Sequence, residues 1–325
     1  MPFILEFMTR QISVICTGGT IACTTNESGA LVPTVSGQQL VDAAQQQLRQ
    51  QPTGHNRLVD ELTFCVHDAL QLDSSSIGLP ELDTLLAAIT EQATDPAVDA
   101  VVVTHGTDSM EESAFATALL VHGAPVVFTG AQRSFDHPET DGPGNLAGAI
   151  RRAVELLPTN AVEVHFGGQN LPATAVHKRH TAELTAFIAH GSAATVPKFA
   201  TLPSLSGFRV PVLAGYPGAT ADLLDYAVDT GVDGVVIEAL GSGNMSAELG
   251  QAAQRALRHG IPVIVATRVP HGAVQLAYGG GGGGATLAEH GAISARTVHP
   301  GQARLALIIA LATGTAPEEL FRCFD

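Results

Sequence analysis

Short apolar runs alternate with helical patterns along most of the chain, and the alternation is clearest near the middle of its first half. Residues 101–103 are three consecutive valines, which is typical of a strand buried on both faces of a parallel sheet. A polar turn, 104–108, follows, and a helical pattern then covers 109–122 with two glutamates in its first turn. Open α/β sheets bind ligands at the carboxyl ends of their strands. Thr107 and Asp108 in this turn are therefore candidate site residues.

A simpler interpretation of the same turn is helix capping. Threonine, serine and aspartate are favoured N-cap residues, so Asp108 or Ser109 can be explained as a cap without any further role. These residues by themselves leave both interpretations open.

The alternation predicts two α/β domains. Residues 1–189 are predicted to form the larger, N-terminal domain, a doubly wound, mainly parallel sheet of the flavodoxin-like kind. The alternation fades over 190–209, which is rich in Gly, Ser, Thr and Pro and is predicted to be a linker. Residues 210–325 are predicted to form a smaller α/β domain that closes with two helical segments.

Three polar segments interrupt the pattern. Residues 23–37 read as a long loop of the kind that often forms a lid. The serine run 74–76 precedes a helical pattern, and N-capping is its simplest explanation. The six glycines 279–284 predict a flexible loop, and no lysine follows them to indicate a phosphate site.

Composition excludes several classes of protein. Hydrophobic residues make up 45% of the 325 residues and charged residues 14%, which describes a packed globular protein. A formal charge of −15 argues against nucleic-acid and anionic-membrane partners. No CxxC spacing occurs among the four cysteines, no apolar run is long enough to span a membrane, and no secretion signal is recognisable. We therefore expect a cytoplasmic protein with reduced thiols, Cys16 being a core residue.

Candidate chemistry appears when the strand ends are combined. Gly18 and Gly19 follow the first predicted strand and allow a close backbone approach, and Thr20 then supplies a hydroxyl. Amide hydrolysis needs a nucleophile and a proton acceptor, and a threonine hydroxyl needs a base. Lys178 is the only lysine in residues 1–189, and a lysine removed from water can accept a proton. A Thr107–Lys178–Asp108 relay is one prediction; a surface position for Lys178 is the alternative.

Six motifs together resemble the bacterial-type L-asparaginase family, in particular its cytoplasmic type. They are TGGTIA (17–22), THGTDSMEE (104–112), GAQR to DGPGNL (130–146), VHK (176–178), GSGN (241–244) and RVPHG (268–272). They lie in the family's order and cover nearly the whole chain, and the first two are the most specific.

The resemblance implies a hydrolase that converts L-asparagine to L-aspartate and ammonia, with glutamine as a side substrate and no metal or organic cofactor. It implies Thr20 as the nucleophile that forms an acyl-enzyme, with Thr107, Asp108 and Lys178 as a second catalytic cluster. The substrate-binding residues that it implies are Gly19, Ser74, Ser75, Gly106, Asp108, Ala131 and Asn244.

The resemblance also implies a homodimer or homotetramer with sites near a subunit interface. Asn244 then reaches into the neighbouring subunit's site, although an N-cap before Met245 is its simpler interpretation. Two features depart from the family. No tyrosine occurs before Tyr216 to fill the lid position, for which Thr24, Thr25 and Ser28 are candidates, and residues 275–284 contain no carboxylate where secreted members have a glutamate.

Three other classes of protein remain alternatives. A non-catalytic amino-acid sensor on the same fold retains the binding residues, but this chain also has both threonines and the lysine. A subunit of a tRNA-dependent amidotransferase carries an additional N-terminal domain, for which TGGT at 17–20 leaves no room. A metal hydrolase is disfavoured because the 13 histidines form no HxxxH or HExxH motif, and His177 and His180 are predicted to be solvated.

Overall fold

The computed structural model describes residues 9–50, 61–190 and 193–324. The chain divides into two compact units, Met1–Ala189 and His190–Asp325. The predicted linker, 190–209, stays a prediction of the sequence.

The first unit is built on a six-stranded sheet with the strand order β4-β1-β5-β6-β7-β8. All neighbouring strands are parallel except β7 and β8, which form an antiparallel edge. The strands are β1 (Arg10–Gly18), β4 (Leu62–Leu72), β5 (Ala100–Thr104), β6 (Val126–Thr129), β7 (Val162–Phe166) and β8 (Gln169–Pro172). The helices are α1 (Gly37–Gln50), α2 (Leu79–Thr94), α3 (Met110–Leu120) and α4 (Gly142–Glu155).

The centre of this sheet explains the continuous apolar runs. Every residue of β5 is buried, because helices cover both faces of the sheet. Strands β1 and β5 pair in parallel from Ile12↔Ala100 to Cys16↔Thr104. The turns that follow these two strands therefore begin side by side, at the carboxyl edge of the sheet.

The second unit contains a smaller sheet with the order β11-β12-β13-β14, parallel throughout. Its strands are β11 (Val212–Ala214), β12 (Val235–Ala239), β13 (Val263–Thr267) and β14 (Ile293–Ser294). Its helices are α5 (Asp222–Asp229), α6 (Ala247–Arg258), α7 (Gly284–Glu289), α8 (Pro300–Thr313) and α9 (Pro317–Phe321). The predicted fold class, two α/β domains with the larger one N-terminal and mainly parallel, is confirmed.

Two local predictions are wrong. The segment 23–37 contains an antiparallel hairpin, β2 (Cys23–Thr25) with β3 (Leu31–Pro33), whose apolar residues are too few to signal strands. Three helices and a two-residue strand close the chain instead of two helical segments, because α7 and β14 are too short to give a clear periodicity. A second hairpin joins β9 (Val176–Lys178) to β10 (Phe187–Ala189).

The glycine run is closely packed where it approaches the chain before α6. A Cβ on Gly282 would lie 2.1 Å from the carbonyl oxygen of Met245, and one on Gly250 would lie 2.2 Å from that of Gly281. These glycines therefore allow backbone segments to touch, which explains them without a phosphate.

Two further predictions concern membrane spans and cysteines. No helix among the described residues is long and apolar enough to cross a membrane. All four cysteines are free and lie within the described ranges, and Cys16 is buried, as predicted for a core residue.

Candidate functional site

Three small residues from three strand ends are packed against one another. Gly19 follows β1 and touches Gly106, which follows β5: a Cβ on Gly19 would lie 2.4 Å from the Gly106 Cα. A Cβ on Gly106 would in turn lie 2.6 Å from the Ser74 Oγ, in the turn after β4. The close approach places Thr20 and Thr107, each the next residue along its chain, in neighbouring turns at one edge of the sheet.

Gly19 is the residue that this packing depends on most. Its backbone has φ 74° and ψ 180°, a region that essentially only glycine occupies. We expect Gly19→Ala to destabilise the first unit by about 2–4 kcal/mol and to lower Tm by several degrees, because it adds strain and a clash with Gly106. Calorimetry measures the change.

Gly29→Ala is the matched control for Gly19→Ala. Gly29 also has a positive φ, 81°, but no atom lies within 4 Å of the position that its Cβ would take. It therefore reports backbone strain alone. Equal losses of Tm in the two variants would show that the contact between Gly19 and Gly106 contributes nothing.

Lys178 lies at the end of β9 and contacts the turn after β5. Its ammonium nitrogen donates to Thr107 Oγ1 at 2.8 Å and to Asp108 Oδ1 at 2.9 Å. The Lys178 side chain is 19% exposed, whereas the Asp108 side chain is 66% exposed. The surface interpretation of Lys178 is therefore wrong, because the side chain turns inward onto the Thr107 hydroxyl. Its ion pair with so exposed a carboxylate adds little stability.

Glu111 holds the backbone of Lys178 in place. It lies in the first turn of α3, and its Oε2 accepts the backbone N–H of Lys178. Burial raises the pKa of Glu111 to about 8, and the neighbouring Glu112 carboxylate acts in the same direction. The bond from the Lys178 N–H and the charge of Lys178 act in the opposite direction on this pKa. A carboxyl group that carries a proton at neutral pH therefore supports the backbone of the candidate base.

Glu111 gives a testable dependence of stability on pH. Its folded pKa, about 8, lies above its usual value, so its contribution to stability is complete below about pH 4.5 and is lost as the pH rises through 8. We expect Glu111→Gln to make Tm less dependent on pH and to remove a loss on the order of a few kcal/mol between pH 5 and 9. Thermal unfolding at pH 5, 7 and 9 measures this.

Glu91→Gln serves as the control, since Glu91 is exposed on α2. It should follow the wild-type pH dependence. A Glu111→Gln profile parallel to wild type would contradict the raised pKa of Glu111.

Ser74 is buried and is bonded to the turn that precedes α3. Its Oγ accepts the Asp108 N–H at 3.1 Å, and its carbonyl oxygen accepts the Ser109 hydroxyl at 2.7 Å. Ser74 caps no helix, because α2 begins after Gly78, and Ser109 makes no side-chain cap bond. The capping interpretation therefore fails for both serines. Ser75 is exposed beside them.

The loop after β6 is held in place by Asp141. This carboxylate accepts the N–H groups of Gln132 and Arg133 and the side-chain amide of Asn145, at 2.9–3.2 Å. Ala131 is thereby fixed in a buried position, 1% exposed. The role of Asp141 was not predicted from its position in the sequence, although DGPGN has the usual composition of a helix start.

Two histidines near the site are buried. His105 is fully buried, which lowers its pKa to about 4, and its Nδ1 is 2.7 Å from the Gly106 carbonyl oxygen. His177 is also buried, so the prediction that it is solvated is wrong. It lies on β9, directly before Lys178, and β9 is covered by its pairing with β10. His180 is exposed, as predicted.

The candidates for the lid position lie in or beside the hairpin β2–β3. Thr24 shares a hydrogen bond with Thr34 at 2.7 Å, across the hairpin. Thr25 is tied through its N–H to Asp136 at 2.8 Å, and Ser28 is bonded to Asn26 at 2.7 Å in the connecting turn. Each hydroxyl or backbone group thus has a role in the hairpin itself.

Asn244 lies in the second unit, before α6. The N-cap of α6 is Ser246, whose side chain accepts the Leu249 N–H, so the cap interpretation of Asn244 is wrong. Asn244 instead exchanges backbone hydrogen bonds with Leu240, and its Oδ1 lies 3.5 Å from the Gly284 nitrogen.

Known proteins resemble this chain over both units. The family described as Asparaginase, N-terminal, matches residues 11–201, and Glutaminase/Asparaginase C-terminal domain matches residues 209–324. A Deinococcus radiodurans protein named "Probable L-asparaginase" is 38% identical over 247 residues, 70% of this chain and 75% of that protein.

Two further comparisons extend the relationship. One chain of the glutamyl-tRNA(Gln) amidotransferase of Methanopyrus kandleri is 28% identical over 82% of this chain, but the match covers only 63% of that protein. The structure of a "Probable Cytoplasmic L-asparaginase" from Campylobacter jejuni has the same fold, with a TM-score of 0.79 and 24% identity over 97% of this chain and 99% of that one.

Proposed function

The chain belongs to the asparaginase family of amide hydrolases, and from that premise we propose that it hydrolyses the side-chain amide of L-asparagine to L-aspartate and ammonia. The observation that carries the proposal is the contact of Lys178 Nζ with Thr107 Oγ1 at 2.8 Å, next to a second threonine turn. A hydroxyl beside an amine is the arrangement that nucleophilic amide hydrolysis requires.

The first step is attack of the Thr20 hydroxyl oxygen on the amide carbon of the substrate. The C–N bond breaks, the hydroxyl proton leaves with the nitrogen as ammonia, and an ester to Thr20 is formed. Thr107, Lys178 and Asp108 form the proton relay for this step. Water then cleaves the ester, releases aspartate and restores the threonine. The relay suits proton transfer because its partners already lie at 2.8 and 2.9 Å.

Substrate binding uses the polar groups around the two threonines. The carboxylate of Asp108 suits the α-ammonium of an amino acid, since 66% of its side chain is exposed and only one of its oxygens is bonded to Lys178. Ser74 and Ser75 supply hydroxyls for the α-carboxylate. Gly19 and Gly106 allow the ligand to approach the backbone closely, and Ala131 closes the site on the side of the fixed loop.

Three finer features are part of the proposal. Glutamine is a side substrate, because residues 275–284 carry no carboxylate to restrict the pocket. Asn244 contributes to the site of a neighbouring subunit in a homodimer or homotetramer. The cytoplasmic location is inferred from the sequence.

A substrate panel tests the proposed activity. Ammonia release is measured with L-asparagine, L-glutamine and D-asparagine, and thermal unfolding is measured with L-asparagine and L-aspartate. We expect rapid release from L-asparagine, slower release from L-glutamine and little from D-asparagine. If no amide releases ammonia although L-asparagine or L-aspartate raises Tm, the chain is an amino-acid sensor and the hydrolase proposal fails.

A further inference from the structure

Three histidines cluster in the second unit, and the proposed hydrolysis uses none of them. His190 directly follows β10, His271 lies in the loop after β13, and His299 is the N-cap residue of α8. The His190 and His271 ring centroids are 4.1 Å apart, and those of His190 and His299 are 5.7 Å apart. Three segments that are distant in sequence therefore bring three imidazoles together around His190.

The ring nitrogens face one another closely enough to be ligands of one ion. His271 Nδ1 is in hydrogen-bond contact with His190 Nε2, and a ring nitrogen of His299 lies within 4.8 Å of one of His190. Two imidazoles on a tetrahedral ion, with metal–nitrogen bonds of about 2.0–2.1 Å, have their nitrogens roughly 3.3 Å apart. The first pair must separate slightly and the second must approach slightly, and His271 is exposed in a loop that permits such a shift.

We propose that His190, His271 and His299 form a binding site for a divalent transition-metal ion of the zinc or nickel type. Three imidazoles are a ligand set that such ions take, with a fourth position left for water. The ion joins three segments of the second unit, so its role is to stabilise that unit.

The surroundings select the class of metal. A cavity of about 10 Å³, lined by His190 and His299, also has Arg296 on its wall and no carboxylate among its lining residues. The positive charge and the lack of oxygen ligands disfavour Mg²⁺ and Ca²⁺, which depend on carboxylates. An ion that forms strong bonds to nitrogen is compatible with them. Burial lowers the pKa of His299 to about 4, so its ring is neutral and able to ligate at pH 7.

Calorimetric titration of purified protein, with any affinity tag removed, tests the site. We expect one equivalent of Zn²⁺ or Ni²⁺ to bind and to raise Tm, and Mg²⁺ to do neither. Co²⁺ should give the visible absorption of a tetrahedral nitrogen site. His271→Asn should weaken Zn²⁺ affinity by at least about tenfold, and His299→Asn should do the same.

Two control variants make the assignment specific. His259→Asn removes an exposed histidine of the same unit, after α6, and should leave Zn²⁺ binding unchanged. Cys65 Sγ and His67 Nε2 form another nitrogen–sulfur pair at 3.2 Å, in the first unit. The assignment is overturned if Zn²⁺ does not bind, or if binding survives His271→Asn and is lost in Cys65→Ser. Asparagine hydrolysis by the wild-type protein is measured separately, so a failed metal site does not bear on the proposed activity.

Discussion

Replacing either site threonine by alanine is expected to reduce ammonia release from L-asparagine by at least about 10³-fold. Thr20→Ala removes the hydroxyl that forms the ester, and Thr107→Ala removes the hydroxyl that Lys178 contacts at 2.8 Å. Substrate affinity should change far less, because the proposed anchors, Asp108 and Ser74, remain. The measurement is kcat and KM for the purified variants, with Tm as a check on folding.

The controls for the threonine variants test the hydroxyl and its position. Thr84→Ala removes an exposed hydroxyl on α2 and should leave kcat unchanged. Thr107→Ser keeps the hydroxyl and should retain part of the activity.

Mass spectrometry of acid-quenched Thr107→Ala distinguishes the two threonines. An aspartyl ester on Thr20 is expected, since a slow second step lets it accumulate. An ester on Thr107 in quenched Thr20→Ala, with none on Thr20 in any variant, would reverse the order of attack and contradict the proposed nucleophile.

Lys178→Met is expected to reduce kcat by about 10²–10⁴-fold, the usual contribution of a positioned general base. The methionine fills a similar volume in a place where the lysine side chain is only 19% exposed, so the fold should persist. Steady-state kinetics across pH measures the loss. The limb of the pH–rate profile that reports the base should disappear in this variant.

Lys178→Arg separates a base from a fixed positive charge. Arginine keeps the charge and the donors facing Thr107 and Asp108, but it does not give up its proton near neutral pH. We therefore expect it to be nearly as inactive as Lys178→Met. Substantial activity in Lys178→Arg would show that the cation positions Thr107 and that another group accepts the proton. Lys198→Met, at the only other lysine in the sequence and exposed, should behave as wild type.

The sequence predicted the architecture well wherever burial follows a simple period. The valine run of β5, buried at every residue, is legible because a strand covered on both faces has no polar positions. The hairpin β2–β3 was missed because it is short and mostly exposed, and no periodicity marks it. The short closing elements were misjudged for the same reason.

The candidate site was predicted in its residue types but not in its contacts. Lys178 stands in a run of basic residues, which is the local pattern of a surface position, and its inward position depends on the pairing of β9 with β10. The buried Glu111 was seen only as a favourable charge at a helix start. Its contact with the Lys178 backbone spans 67 residues, and no local pattern encodes a pairing of that length.

The sequence by itself determined the two α/β domains, the family and the set of polar residues at strand ends, because periodicity and motifs are local properties. Only the tertiary structure decided which of those residues meet. The parallel register of β1 and β5 brings the Gly19 and Gly106 turns into contact, and β9 carries Lys178 onto Thr107. The three histidines of the second unit were likewise invisible as a group, since 81 residues separate His190 from His271 and only folding brings their rings together.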